Sequence, residues 1–209
     1  MMTSRLTLFV LVSFLLSCST TKLAEVDDAA IKEIQAHQEE LNEFYRNPQT
    51  SPLKEKSAGF SEHQFYPINL TYRVQAKVNR LKNEPFFEIP TSGTKTPEYR
   101  RFALLDFELG GKSYQLTVLQ NKDNMMNPLY RNRLFLPFQD HTNGDLTYGG
   151  GRYIDLKIPT GDHMILDFNQ SYHPYCAYTD GYNCPIPPAE NRMDVAIEAG
   201  IILNDSYKH

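Results

Sequence analysis

Ten residues between Asp140 and Arg192 carry side chains able to do chemistry, and they fall in three short stretches. Asp140, Thr142, Tyr148 and Arg152 lie in F-Q-D-H-T-N-G-D-L-T-Y-G-G-G-R-Y. Asp167, Asn169, Tyr172 and Tyr175 lie in L-D-F-N-Q-S-Y-H-P-Y-C-A-Y, and Asn191 and Arg192 close C-P-I-P-P-A-E-N-R. A carboxylate at Asp140 or Asp167 is what a hydrolase uses as acid or base, while Arg152 with Asn169 would hold an anion. Tyr172, Tyr175 and Tyr178 offer ring faces on which a sugar or an aromatic ligand stacks. Each residue also has a plainer use. Asp140 can cap the turn at Asn143-Gly144, and Arg152 can pair internally with Asp140 or Asp167. Asp167 and Asn169 bracket Phe168 at a strand end, so period two points both to one face, as a pocket or a buried polar network requires. The tyrosines can equally cover a core. Gly149-Gly150-Gly151 reads first as a bulge before a strand and second as a close backbone approach.

Several chemistries are excluded. The chain has no Ser/His/Asp order, no H-E-x-x-H and no G-x-x-x-x-G-K-[ST]. His141 adjoins Asp140, but neighbours on a strand face apart, so the adjacency makes no dyad. A net charge of −4 without a Lys/Arg stripe argues against nucleic acid.

The elements that must position these residues are mostly strands. Tyr72, Val74, Ala76 and Val78 alternate with polar residues, and Pro85 to Pro90 suits a short edge strand. Ala103 to Leu109, the turn Gly110-Gly111 and Tyr114 to Val118 predict a hairpin. Leu134 to Phe138 predicts a strand. Ile154 to Ile158, the turn P-T-G-D and Met164 to Phe168 predict a second hairpin, and Val195 to Ile202 a last strand. Met125-Met126, in the loop 121–132, reads as gap-filling packing. With 13 tyrosines, 12 phenylalanines, 13 prolines and 11 glycines, the composition suits a turn-rich β domain. The expected fold is all-β: one sandwich or barrel-like domain over residues 60–203, with a single flanking helix over 25–47. Ile31, Ile34, Leu41 and Phe44 form that helix's narrow apolar stripe, and Asn47-Pro48 ends it.

The N-terminus indicates an address. Arg5 precedes the apolar run Leu6 to Leu16, the length of a signal-peptide core and short for a bilayer span. Leu15-Leu16-Ser17-Cys18 resembles the lipobox of bacterial lipoproteins. That resemblance implies removal of residues 1–17, lipidation (palmitate among the acyl groups) at Cys18 and a polar tether over 18–24. It also implies a cell-envelope location, with Ser19 favouring the outer membrane facing the periplasm. In an oxidising compartment the remaining Cys176 and Cys184 are read as a disulfide. A metal site on His173, Cys176 and Cys184 lacks a fourth ligand, and free thiols are the other alternative.

The three motif stretches together resemble the domain-of-unknown-function family number 1684. So do F-Y-P-I-N-x-x-Y-R-V at 65–74, I-P-T-S-G-T-K-T-P-E-Y at 89–99 and L-F-L-P-F at 134–138. The resemblance runs from about Phe60 to Gly200 and implies no activity. It departs at His173, where many relatives carry Asn before the proline, which weakens a metal or acid–base role there as a family trait. The expectation is therefore a non-catalytic envelope lipoprotein, without cofactor or metal, binding a small polar ligand or a partner protein through the 139–152 and 167–192 loops. The alternatives are an envelope hydrolase using Asp140 or Asp167 with Arg152 and Asn169, and a purely structural lipoprotein.

Overall fold

The computed structural model describes residues 17–203. The expected signal sequence, apart from its last residue, and the side chain of Cys18 lie outside the described residues. Helix α1 (Ser17–Arg46) starts earlier than the expected Glu25, so the segment read as a tether is helical. Among its described side chains Ala30, Ile34 and Tyr45 are the buried apolar positions, Asn42 is buried with them, and Leu41 and Phe44 are half-buried beside them. That is one helical face, as the apolar stripe requires.

The body is mostly β, as expected, and takes the form of a curled antiparallel half-barrel. Its strands are β1 (Gln64–Phe65), β2 (Arg73–Arg80), β3 (Phe87–Glu88), β4 (Glu98–Leu109) and β5 (Lys112–Asn121). After the short helix α2 (Lys122–Met126) come β6 (Arg133–Phe138), β7 (Arg152–Lys157), β8 (His163–Asp167) and β9 (Ile201–Ile202). The main sheet runs β7-β6-β5-β4-β2-β8, β3 adds to the start of β4, and β1 pairs with β9 apart from it. Period two sets the inner face: Ala76 and Val78, Ala103 to Leu109, Leu116 and Val118, Leu134 to Phe138, Ile154 and Leu166 make one core. The β4–β5 hairpin forms as expected. Gly110 and Gly111 turn it with φ of 57° and 75°, which glycine adopts without strain.

Three expectations are corrected. β7 and β8 are not a hairpin: β7 pairs with β6, β8 pairs with β2, and they lie at opposite edges of the sheet. The curl brings those edges close enough for residues 158–162 to join them, and Tyr153 and Tyr172 exchange backbone hydrogen bonds across the seam. A short turn-like linker looks the same in sequence whether it folds a hairpin or crosses a seam. Second, only Ile201–Ile202 of the expected last strand is strand. The chain before it is irregular and buries Met193, Ile197 and Ala199 in the core of the half-barrel. Met126, expected to fill a gap, is 83% exposed.

Helix α1 straps the seam. Arg73 at the start of β2 donates to Glu33 of the helix and to Asp167 at the end of β8, both at 2.7 Å. His37 Nε2 lies 3.0 Å from the Gln170 carbonyl oxygen. Covering the β8 edge in this way removes a free row of strand donors and acceptors.

Candidate functional site

The structure separates the ten sequence candidates into a buried framework and a pocket wall. Asp140 follows β6, and Oδ1 accepts from Thr142 N at 2.9 Å, Thr142 Oγ1 at 2.7 Å and Ile197 N at 3.2 Å. Oδ2 accepts from Arg152 at 2.8 Å, and both side chains of that pair are 0% exposed. Arg152 also donates to the carbonyls of Ile197 (2.8 Å) and Ala199 (2.6 Å), and its guanidinium lies 5.2 Å from the Phe138 ring centre. The guanidinium therefore receives the carbonyls of an irregular segment that lacks strand partners inside the core. Arg152 makes the internal pair with Asp140 rather than gripping a ligand.

Asp167 and Asn169 do not share a strand face, because residues 168–170 turn into a 3-10 helix with Asp167 as its cap. They meet nonetheless. Asn169 Nδ2 donates to Asp167 Oδ1 at 2.8 Å, and the Asn69 backbone bonds the same amide from both sides. Asn191 is wholly buried and acts as a substitute peptide group. Its Nδ2 donates to Thr117 O (2.8 Å) and Pro137 O (2.7 Å), and its Oδ1 accepts from Thr117 N (2.7 Å). Pro137 has no N–H to offer the β5 ladder, and the amide fills that gap. Arg192 is exposed and donates to Gln139 Oε1. Gly151, at φ 96°, passes so close to Phe138 O that a Cβ would sit 2.6 Å from it, so the close-approach reading of the triple glycine holds there.

Tyr148, Tyr172 and Tyr175 are half-buried, and Tyr178 is buried. The Tyr148 backbone N–H donates to His173 Nε2 at 3.2 Å, so the neutral ring carries its proton on Nδ1, 3.0 Å from the Tyr178 hydroxyl. That hydroxyl in turn lies 3.4 Å from His63 Nδ1. His63 sits with Tyr45 (4.3 Å between ring centres) and Phe60 (4.8 Å) beneath α1. Burial pushes its imidazole down to about 3, and burial with the Arg152 and His63 charges holds His173 well below the usual range.

Tyr172 and Tyr175 instead line a pocket of about 300 Å³ with Tyr99, Phe135, Tyr153 and Tyr182. Asn183, Cys184 and two prolines complete its wall; among the described residues no charged side chain lines it, and the Asp155 carboxylate bonds the Tyr172 hydroxyl beside it. Its floor is the outer face of β4, β6 and β7, and its lip is the loop closed by the Cys176–Cys184 disulfide, whose Cα atoms are 6.3 Å apart. Phe44 of α1 stacks behind Tyr175 at 6.3 Å and 13°. The Tyr153 hydroxyl donates to the Pro185 carbonyl, whereas among the described residues the Tyr175 and Tyr182 hydroxyls have no hydrogen-bond partner. Sequence reasoning missed Tyr99, Phe135, Tyr153 and Tyr182. Phe135 and Tyr153 did leave a signal: each is an aromatic at the position where strand alternation calls for a polar residue. A second, larger groove lies over Gln75, Lys77, Asp106, Gln115 and His163. It is the open polar face of β8, β2, β4 and β5, and Asp106 there is already held by Asn79 and Gln115. Among the described residues no group of His, Cys, Asp and Glu is arranged to hold a metal.

A half-barrel with a strapped seam and a tyrosine-lined outer pocket is the class of protein that this geometry defines. The chain belongs to the family described as "Protein of unknown function (DUF1684)", whose model matches residues 58–201. The uncharacterized protein from gene locus rrnAC0354 of Haloarcula marismortui, solved by NMR in solution, has a similar structure. It is 32% identical, the match covers 86% of this chain and 97% of that one, and the TM-score is 0.67. Among curated proteins none matches.

Proposed function

We propose that this protein is a lipid-anchored protein of the bacterial envelope, at the outer membrane facing the periplasm, whose β domain binds a small neutral ligand without transforming it. The observation that carries the binding reading is the pocket of about 300 Å³, within the size range of small-molecule sites and lined by six aromatic rings. The alternative hydrolase has no reachable acid or base in its named candidates. Asp140 and Asp167 are 6% and 4% exposed, and each is bound to an arginine. Anchoring rests on Leu15-Leu16-Ser17-Cys18. Among the described residues no helix is long and apolar enough to cross a membrane, so Cys18 would supply the attachment.

Thermal unfolding with a panel of neutral metabolites, anions and divalent metals tests the binding reading. A neutral compound at about a hundredfold over its Kd should stabilise the protein by about 2.7 kcal/mol. The shift should vanish in Tyr175→Ala and survive Gln115→Ala in the second groove. Stabilisation confined to anions or metals, indifferent to Tyr175, would sink it. Anchoring has its own check: Cys18→Ser should move the expressed protein from the membrane fraction to the soluble fraction and abolish incorporation of labelled palmitate. An unchanged distribution would remove the anchor from the proposal.

A further inference from the structure

We infer that the ligand of the tyrosine pocket is a neutral carbohydrate, with one pyranose ring resting on the aromatic floor. This rests on the binding reading above and narrows it to a chemical class. Three features of the pocket select that class.

The first is charge. Among the described residues no Asp, Glu, Lys or Arg lines the pocket, and the Asp155 carboxylate sits at the Tyr172 hydroxyl, so an anionic ligand would lose its hydration without a compensating partner. Phosphates and carboxylates are disfavoured. The second is the pair of unengaged hydroxyls on Tyr175 and Tyr182 at the disulfide-closed lip. A purely apolar ligand would cover them and strip their water with nothing in return, whereas a ligand with a hydroxylated edge replaces that water. The Asn183 side chain adds to this edge: its Oδ1 is taken by Lys95 N, which leaves its Nδ2 as a donor. The third is the angle between rings. Phe135 meets Tyr153 at 71°, Tyr153 meets Tyr172 at 86° and Tyr175 meets Tyr182 at 69°. None of the touching pairs in the pocket, Tyr99 and Phe135 at 34° included, is stacked in parallel, so the rings offer a ligand both faces and edges in several directions. A chair-shaped ring lays its C–H face on one aromatic face, meets the edges of the others, and turns its hydroxyls to the lip.

The disulfide loop holds the polar half of the site, because Tyr182, Asn183 and Cys184 all lie within or at the end of the loop 176–184. The strands hold the stacking half. Substitutions therefore divide the two contributions: removing a ring removes stacking, and Tyr182→Phe removes a hydroxyl alone.

Saturation-transfer NMR on the full chain, in a detergent without a sugar headgroup, provides the test. The probes are cellotetraose, chitotetraose and maltotetraose, with indole and adenosine as planar comparisons. At least one oligosaccharide should bind and receive saturation mainly at the ring protons of one face. Tyr175→Ala should weaken it about tenfold and Tyr182→Phe severalfold, with the fold retained by circular dichroism. If indole or adenosine binds in a Tyr175-dependent way and no oligosaccharide does, the pocket stands and the carbohydrate assignment falls. If no probe of either kind binds, both fall. Oligosaccharide binding indifferent to Tyr175 and Tyr182 overturns the assignment of sugars to this pocket.

Discussion

Arg152→Ala should destabilise the protein by about 3–5 kcal/mol, the range for stripping one partner from a buried ion pair. Arg152 and Asp140 have no exposed side-chain surface, and the guanidinium also serves the carbonyls of Ile197 and Ala199. Alanine would leave a carboxylate without its counter-charge, the Ile197 carbonyl without its side-chain donor, the Ala199 carbonyl with only the long Ser171 hydroxyl contact, and a cavity against Phe138. These penalties arise together, because all of these groups face the one buried guanidinium. A truncation at an exposed charge such as Arg192 should cost less than about 1 kcal/mol by comparison. The double variant Arg152→Met with Asp140→Asn removes both charges and keeps most of the volume. It should recover at least about 2 kcal/mol over the sum of the single effects, because the penalties share one origin. Urea unfolding of the four proteins of that cycle, together with Arg152→Ala and Arg192→Ala, measures all three numbers. A loss below about 1 kcal/mol for Arg152→Ala would mean that the irregular segment is held by its apolar residues alone.

The Arg152–Asp140 pair also marks where the sequence was legible and where it was not. Residue types and spacing offered an internal pair for Arg152 with either Asp140 or Asp167, beside a ligand-gripping role, and a turn cap for Asp140; the choice among these needed the fold. The strand pattern was legible, since Ala103 to Val118 alternate cleanly and two glycines make the turn. What the sequence did not carry was direction. Period two tells which residues share a face, yet not whether the polar face meets solvent, another loop or the barrel interior. Asp167 and Asn169 met, as expected, through a 3-10 turn rather than a strand face. The pairing of β7 and β8 was misplaced because edge closure is a property of the whole curl, and residues 158–162 bear no trace of it. The pocket escaped for the same reason: Tyr99, Phe135, Tyr153 and Tyr182 are far apart in the chain, and only the sheet order β4-β5-β6-β7 and the disulfide-closed loop bring them together.

Acid should weaken the fold well before its carboxylates titrate in bulk, and two histidines set the window. His63 and His173 are 5% and 1% exposed and stay neutral in the folded state, His63 with its imidazole pushed down to about 3. In the unfolded chain each returns to about 6.5. A base whose pKa is depressed by folding binds protons in the unfolded state first, so stability is fully present above about pH 7 and is lost as pH falls toward the folded value. For His63 the loss is about 1.4 kcal/mol per pH unit, reaching about 2.7 kcal/mol at pH 4.5. His173 adds a loss of the same sign. Protonating either ring also breaks the hydrogen-bond order that runs from Tyr148 N–H through His173 and Tyr178 to His63. A charged His173 has no lone pair at Nε2 for the Tyr148 amide, and a charged His63 has none at Nδ1 for the Tyr178 hydroxyl. His173→Asn keeps an acceptor for the Tyr148 amide and removes one titration. Unfolding free energies at pH 7.5, 6, 5 and 4.5 for the parent and His173→Asn isolate that titration, because every other group cancels in the difference. The gap between the two proteins should narrow steadily below about pH 6.5 as the parent loses more. A constant gap down to pH 4.5 would show that His173 accepts a proton without opening the cluster of Tyr45, Phe60 and Tyr178 that α1 covers.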